Sequence, residues 1–198
     1  ISSEELVEKI LKREAIAPKT VAITFDDGFK NNRTVAFPIL QKFSFKATIF
    51  LATDLVGKNA DYLDWDDVSY LAGTGLISFG AHSLTHRKLA SLNRPELEKE
   101  IGGSKAILER FLKEPVRIFA YPFGSYGSFT GVAIDVLRSQ GYKAAFTTII
   151  GRNTVQTDPY LLKRTRISWV DDANEFAKEM CGAYDWYGLW QRLIRTPL

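Results

Sequence analysis

The sequence predicts an α/β domain with a mainly parallel sheet buried on both faces, and three observations carry that prediction. Short β-rich apolar runs alternate with helical patterns along the chain, the signature of repeated βα units. No internal repeat, low-complexity tract or Pro/Gly/Ser-rich linker breaks the alternation, so residues 1–198 are expected to form a single domain. At 198 residues, 45% hydrophobic and 25% charged, the chain can bury one sizeable core without disulfides. Its lone cysteine, Cys181, excludes an internal disulfide framework and a Cys-rich zinc module.

The strand candidates are Val21 to Phe25, Ala47 to Leu51, Ile77 to Gly80, Val116 to Ala120 and Ala144 to Thr148. Between them, helical patterns run over Arg33 to Phe43, Trp65 to Ala72, Pro95 to Leu112 and Phe129 to Gln140. Pro38 either starts the first of these helices or kinks it. Asn93 is the expected N-cap of the third, with Pro95 in its first turn and Glu96 and Glu98 near the positive end of the dipole. Ser128 is the expected cap of the fourth, which Gly141 ends.

Charge excludes some classes of partner. The 26 basic and 23 acidic residues are scattered, which leaves no footprint for nucleic acid. The densest basic stretch, Lys163 to Arg166, lies between apolar residues and reads as a strand with solvated or site-facing charges. No run approaches the roughly 18 apolar residues of a membrane helix, and the first ten residues carry three glutamates, so neither a membrane span nor a signal peptide is expected in this chain. An opening Ile in place of Met points to processing or trimming.

Residues just past the carboxyl ends of parallel strands face the usual binding site of an α/β fold. Asp26-Asp27-Gly28 follows the first strand, where adjacent carboxylates are costly without a cation or a base role, although an isolated Asp-Asp-Gly also reads as a plain turn. The only two histidines, His82 and His86, follow the third strand. Two histidines placed at random fall four apart about one time in a hundred. On a helical turn both imidazoles would point the same way and could hold one cation; the bland alternative is a surface or core pair. One carboxylate with two histidines leaves coordination positions open, as in a catalytic site, and frees the second carboxylate to accept a proton. The fourth strand end carries Tyr121-Pro122-Phe123-Gly124. Its turn could aim a backbone N–H at the site, and its rings could stack on sugars, or it could be an ordinary aromatic loop.

In this order at strand ends, Thr24 to Gly28, His82 to His86 and Tyr121 to Gly124 resemble the polysaccharide deacetylases, the fourth family of carbohydrate esterases. Pro38 to Leu40 and Lys46 to Phe50 are similar too. The resemblance implies an irregular (β/α) barrel of about seven parallel strands, either open or trimmed at its N-terminus. It also implies metal-dependent removal of acetyl groups, chiefly N-acetyl from acetylated polysaccharides or oligosaccharides, by a protein of the cell envelope, periplasm or exterior. Carried over by position, Asp26 is the base, and Asp27, His82 and His86 hold one divalent metal, zinc by expectation, with cobalt, nickel or manganese as alternatives. Phe123 supplies the oxyanion N–H. Tyr121, Phe123 and Tyr126, with Trp169, line a glycan groove.

The chain departs from the family pattern in three places. Ala120 stands where many members have the arginine that orients the base, and Arg117 is at the wrong spacing to replace it, so the task is expected to pass to Arg164 or Arg166. No histidine follows His86 to act as general acid. The later Asp and Trp motif is matched only loosely by Trp169, Asp171 and Asp172. These gaps resemble the branch acting on exopolysaccharides such as poly-N-acetylglucosamine. Two rival readings are a glycan-binding module that kept the metal site but lost catalysis, and an iron oxygenase with a two-histidine, one-carboxylate triad. An unliganded Asp26 has no evident use in the first. The usual histidine–acid spacing of the second is missing.

Overall fold

The computed structural model describes residues 1–168 and 170–187. In chain order the elements are α1 (Ser3–Lys12), β1 (Ile23–Phe25), α2 (Phe37–Lys42), β2 (Ala47–Leu51), α3 (Trp65–Gly73), β3 (Ile77–Ala81), α4 (Arg94–Leu112), β4 (Ile118–Ala120), α5 (Gly131–Ser139), β5 (Ala144–Phe146) and α6 (Ala173–Cys181). The five strands are parallel and lie in the order β1-β2-β3-β4-β5. Each crossover therefore steps one strand the same way, and right-handed connections put the intervening helices on one face.

Strand parity follows from that placement. Ala47, Ile49, Leu51, Phe79 and Phe119 pack outward among Phe37, Leu40, Val68, Leu71, Leu97, Ile101 and Val136 of the helices. Phe50, Ile118, Ala120, Ala144 and Phe146 point to the other face and meet Val7, Ile10 and Leu162. The sheet curls around this second cluster as a half-barrel, and α1 plugs its concave side. Among the described residues the sheet is thus an open half-barrel of five strands, where about seven were expected, and a parallel bridge from Phe146 to Leu162 extends it.

Helix α1 has no counterpart among the patterns read from sequence, although Ser2 and Glu5 stand at capping-box spacing. The Glu5 N–H donates to Ser2 Oγ and the Ser2 N–H to Glu5 Oε2. Asn93 caps α4 as expected, and it forms the same box with Glu96. Pro38 starts α2, after one π-helical turn over Asn32–Ala36. Two local expectations are corrected. Thr130, not Ser128, occupies the N-cap position of α5, and the Ser128 hydroxyl donates to the Ser125 carbonyl instead. The stretch 163–166 forms no strand, because only Leu162 reaches β5.

Two predictions rest on the plug. Ile10→Ala should cost about 2–5 kcal/mol by urea denaturation, whereas Leu11→Ala on the exposed side should change stability by less than about 0.5 kcal/mol. Burial raises the Glu4 carboxyl above 4.5, with the Ser78 hydroxyl bonded to it pulling the other way. A raised folded value means the native state holds the proton longer. The contribution of Glu4 to stability is therefore full below pH about 4.5 and declines as pH rises through the folded value. Glu4→Gln should flatten that part of the stability–pH curve.

Candidate active site

The two carboxylates after β1 divide at once. Asp26 keeps the inward parity of Thr24, and its carboxylate accepts two parallel hydrogen bonds from Arg164, Nη1 to Oδ1 and Nη2 to Oδ2, both 2.7 Å. Arg164 reaches it from the far edge of the half-barrel. Beyond the bridge at Leu162, the Arg164 N–H donates to the Ile149 carbonyl, its Nε donates to Thr147 O at 2.8 Å, and Nη1 also donates to Thr24 Oγ1. Burial alone would raise the Asp26 carboxyl, but Arg164, His82 and His86 outweigh it and hold the group below its ordinary value. Of the two candidate arginines, Arg164 makes this contact, while Arg166 is exposed.

Asp27 turns the other way through a left-handed backbone (φ 69°). Its Oδ1 lies 3.1 Å from His86 Nε2 and 3.5 Å from His82 Nε2, and the three side chains offer ligand atoms within 4.8 Å of one another. The fit to a cation follows from hydrogen positions. His82 Nδ1 is 2.7 Å from the Ala120 carbonyl, which can only accept, so Nδ1 carries the proton. Burial, against the pull of Asp26 and Asp27, keeps His82 below its ordinary value and therefore neutral. Its Nε2 lone pair then faces Asp27 Oδ1, a buried oxygen with no hydrogen-bond donor. Acceptors facing one another at this range repel unless a cation lies between them. A metal-ligating imidazole held by a backbone carbonyl through its other nitrogen is a common arrangement.

The histidines do not sit on a helical turn. Residues 82–86 form an irregular loop with Ser83 and His86 in left-handed conformations (φ 65° and 61°). Helical geometry is unavailable because the loop is tied on both sides. The Thr53 and Asp54 N–H groups donate to the Ser83 and Leu84 carbonyls. On the other side, the Glu100 carboxylate of α4 accepts from Leu84 N (3.1 Å), Thr85 N (2.9 Å) and Thr85 Oγ1 (2.6 Å). Glu100 is only 4% exposed and was missed in the sequence. The available signal was a carboxylate on the buried stripe Leu97, Ile101, Ser104, Leu108 of a long helix.

The turn after β4 splits its four candidates. Tyr121 belongs to the core, not to a groove: it is fully buried, stacks on Phe129 at 3.9 Å and donates its hydroxyl to the Tyr160 carbonyl. Outward parity from Phe119 dictates this. Pro122 and Gly124 are buried as well. A Cβ at Gly124 (φ 60°) would lie 2.7 Å from Thr148 N, so only glycine fits there. Phe123 alone emerges, 57% exposed with φ 64°, its ring 5.0 Å from that of His86. Tyr126 is half-buried, Asp172 caps α6, and Trp169 lies outside the described residues.

With this geometry in place, residues 13–145 match the polysaccharide deacetylase family. A putative polysaccharide deacetylase, YxkH of Bacillus subtilis (strain 168), is 31% identical over 76% of this chain and 52% of its own length. The poly-beta-1,6-N-acetyl-D-glucosamine N-deacetylase of Staphylococcus aureus (strain MRSA252) is 28% identical over 83% of this chain and 59% of its own. The chain thus spans little more than half the length of these curated relatives. The structure of the Streptococcus pyogenes deacetylase PplD in complex with acetate superposes with a TM-score of 0.82 at 27% identity, covering 91% of this chain and 78% of that one. IcaB from Ammonifex degensii superposes at 0.78, with 23% identity over 91% and 81%, a likeness of fold.

The histidine loop generates a prediction. Glu100→Ala should leave the chain folded but loosen Leu84, Thr85 and the histidines beside them. Zinc affinity, measured by competition with a chromophoric chelator, should fall about 10- to 100-fold.

Proposed function

The chain belongs to the polysaccharide deacetylase family, and from that premise we propose that it is a metal-dependent hydrolase removing N-acetyl groups from N-acetylglucosamine-containing polysaccharide. Asp27, His82 and His86 would hold one divalent cation, for which a nitrogen- and oxygen-donor set with open positions suits zinc first and cobalt, nickel or manganese next. When bound, such an ion supplies Lewis acidity and lowers the pKa of water toward about 7.

The remaining work falls to the chain's own groups. Asp26, kept ionised and aimed by the Arg164 fork, accepts the proton of the attacking water. The Phe123 N–H, in the turn after β4, would donate to the oxygen that gains charge as the acetamide carbonyl becomes tetrahedral. Within this chain no histidine follows His86, and Asp26 is the group at hand to protonate the leaving nitrogen. Asp26 returns to that nitrogen the proton it has taken. Amine and acetate leave.

The observation that carries this reading is the division of labour between adjacent carboxylates. Asp26 is ionised and paired with Arg164, and Asp27 is left facing two imidazole nitrogens without a donor. A pure glycan binder has no use for the first arrangement. The names of the relatives support an amino-sugar polymer as substrate, and such a polymer implies work at or outside the cell envelope.

Acetate release from poly-β-1,6-N-acetylglucosamine, chitin fragments, peptidoglycan and acetylated xylan tests the substrate class; release from none of them would overturn it. Asp26→Asn should retain the metal and lose at least about 10²-fold in kcat, whereas His82→Ala, His86→Ala and Asp27→Ala should each lose the metal. Arg164→Ala should lower kcat by about 10²–10³ with metal content unchanged. Chelation should abolish turnover with little change in far-ultraviolet circular dichroism, since the two apolar clusters do not depend on the ion.

A further inference from the structure

The loop after Asp27 carries a feature that neither the fold nor the proposed chemistry uses. Phe29 is 41% exposed and stacks on Tyr62, with ring centroids 5.2 Å apart and an interplanar angle of 18°. The pair is held rigidly. Phe29 and Tyr62 form an antiparallel bridge, the Lys30 N–H donates to the Asp61 carbonyl at 2.7 Å, and the Leu63 N–H donates to the Gly28 carbonyl at 2.8 Å. The Lys30 ammonium is tied back to Asp64 and Asp67. The stack, with Asn31, Asn59 and Asp61, lines a shallow open depression.

The chain keeps it near the metal-ligating cluster. Phe29 is two residues from Asp27, so their Cα atoms are at most about 7 Å apart. On the opposite flank, past β4, the other exposed aromatic of the site, Phe123, leans on His86. β1 and β4 are three strand spacings apart, about 14 Å. The carboxyl ends of β1 and β4 thus each lead into an exposed ring, Phe29 two residues after Asp27 and Phe123 against His86.

We propose that the Phe29–Tyr62 stack, with the polar side chains of Asn31, Asn59 and Asp61 beside it, is a binding subsite for a sugar neighbouring the one deacetylated, so that the protein selects oligomeric amino sugars over monomers. The inference rests on the proposed deacetylase function and adds where a neighbouring sugar of the glycan would rest. A pyranose offers an apolar face to the exposed ring and hydroxyl and amide groups to the flanking polar side chains. Because the two rings are already stacked and the strap is bonded to the Gly28 turn, little ordering is needed on binding.

The test compares chain lengths. Acetate release by the metal-loaded protein is measured on β-1,6-linked N-acetylglucosamine oligomers of increasing length, for wild type, Phe29→Ala, Tyr62→Ala, Phe29→Tyr and Phe43→Ala. Phe43 is an exposed aromatic at the end of α2, remote from the site in sequence and element. Wild-type kcat/KM should rise with length. In Phe29→Ala and Tyr62→Ala the ratio between the longest and shortest oligomer should fall about tenfold, mainly through KM of the longer ones, as expected for one lost stacking contact. Phe29→Tyr should restore the ratio, and Phe43→Ala should match wild type. An unchanged ratio, or equal loss at every length, would overturn the subsite. If wild type released no acetate at all, the deacetylase reading would fail separately, and calorimetric titration of the longest oligomer would decide the subsite: equal affinity for wild type and Phe29→Ala would overturn it.

Discussion

The bidentate pair between Arg164 and Asp26 is the contact on which the rest of the site depends. The two residues are 138 positions apart and belong to opposite edges of a sheet whose outer strands do not pair. A half-barrel has no ladder to close it there. The guanidinium does part of that work: it is anchored by the Thr147 carbonyl on the β5 side and by Thr24 and Asp26 on the β1 side. Its planar fork fixes the orientation of Asp26, and its charge keeps the buried carboxylate ionised against desolvation. A lysine would supply the charge without the fork.

Strain gathers around this pair. Asp27, Ser83, His86 and Phe123 all have left-handed backbones, at the turns that carry Asp27, the two histidines and Phe123 past their strand ends. Such conformations persist where surrounding bonds over-determine them. Glu100 plays that part for the histidine loop, and the Thr148 hydroxyl, donating to the Phe123 carbonyl, plays it for the β4 turn. At Gly28 (φ 76°) a Cβ would run into the Leu51 side chain, so the turn after Asp27 is kept close to β2 by the absence of a side chain.

The aromatic residues illustrate how parity sorts chemistry from packing. Tyr121 and Phe123 are two apart, and in a continuing strand they would share a face. The strand ends at Ala120, however, and the chain reverses through Pro122 and the left-handed pair Phe123 and Gly124. Tyr121 stays with the outer helical layer, where its hydroxyl finds the Tyr160 carbonyl, and Phe123 is thrown onto the surface beside His86. No reading of residue types alone separates the two.

What the sequence determined by itself was local. The alternation of β-rich and amphipathic segments placed β1 to β5 and α2 to α5 within a few residues, and cap chemistry located the start of α4. The only histidines, four apart after a strand, and a paired carboxylate after another, named the residues that the fold brings to one place. These features are legible because strand period, helix period and turn chemistry act between near neighbours. The tertiary structure decided what depends on distant partners: that Arg164 and not Arg166 reaches Asp26, that Glu100 on α4 holds the histidine loop, that α1 plugs the concave face, and that the histidines are presented by a strained loop and not by a helix. Each is fixed by contacts between segments far apart in the chain. Their cost or benefit arises only when burial removes water, and no local pattern records it.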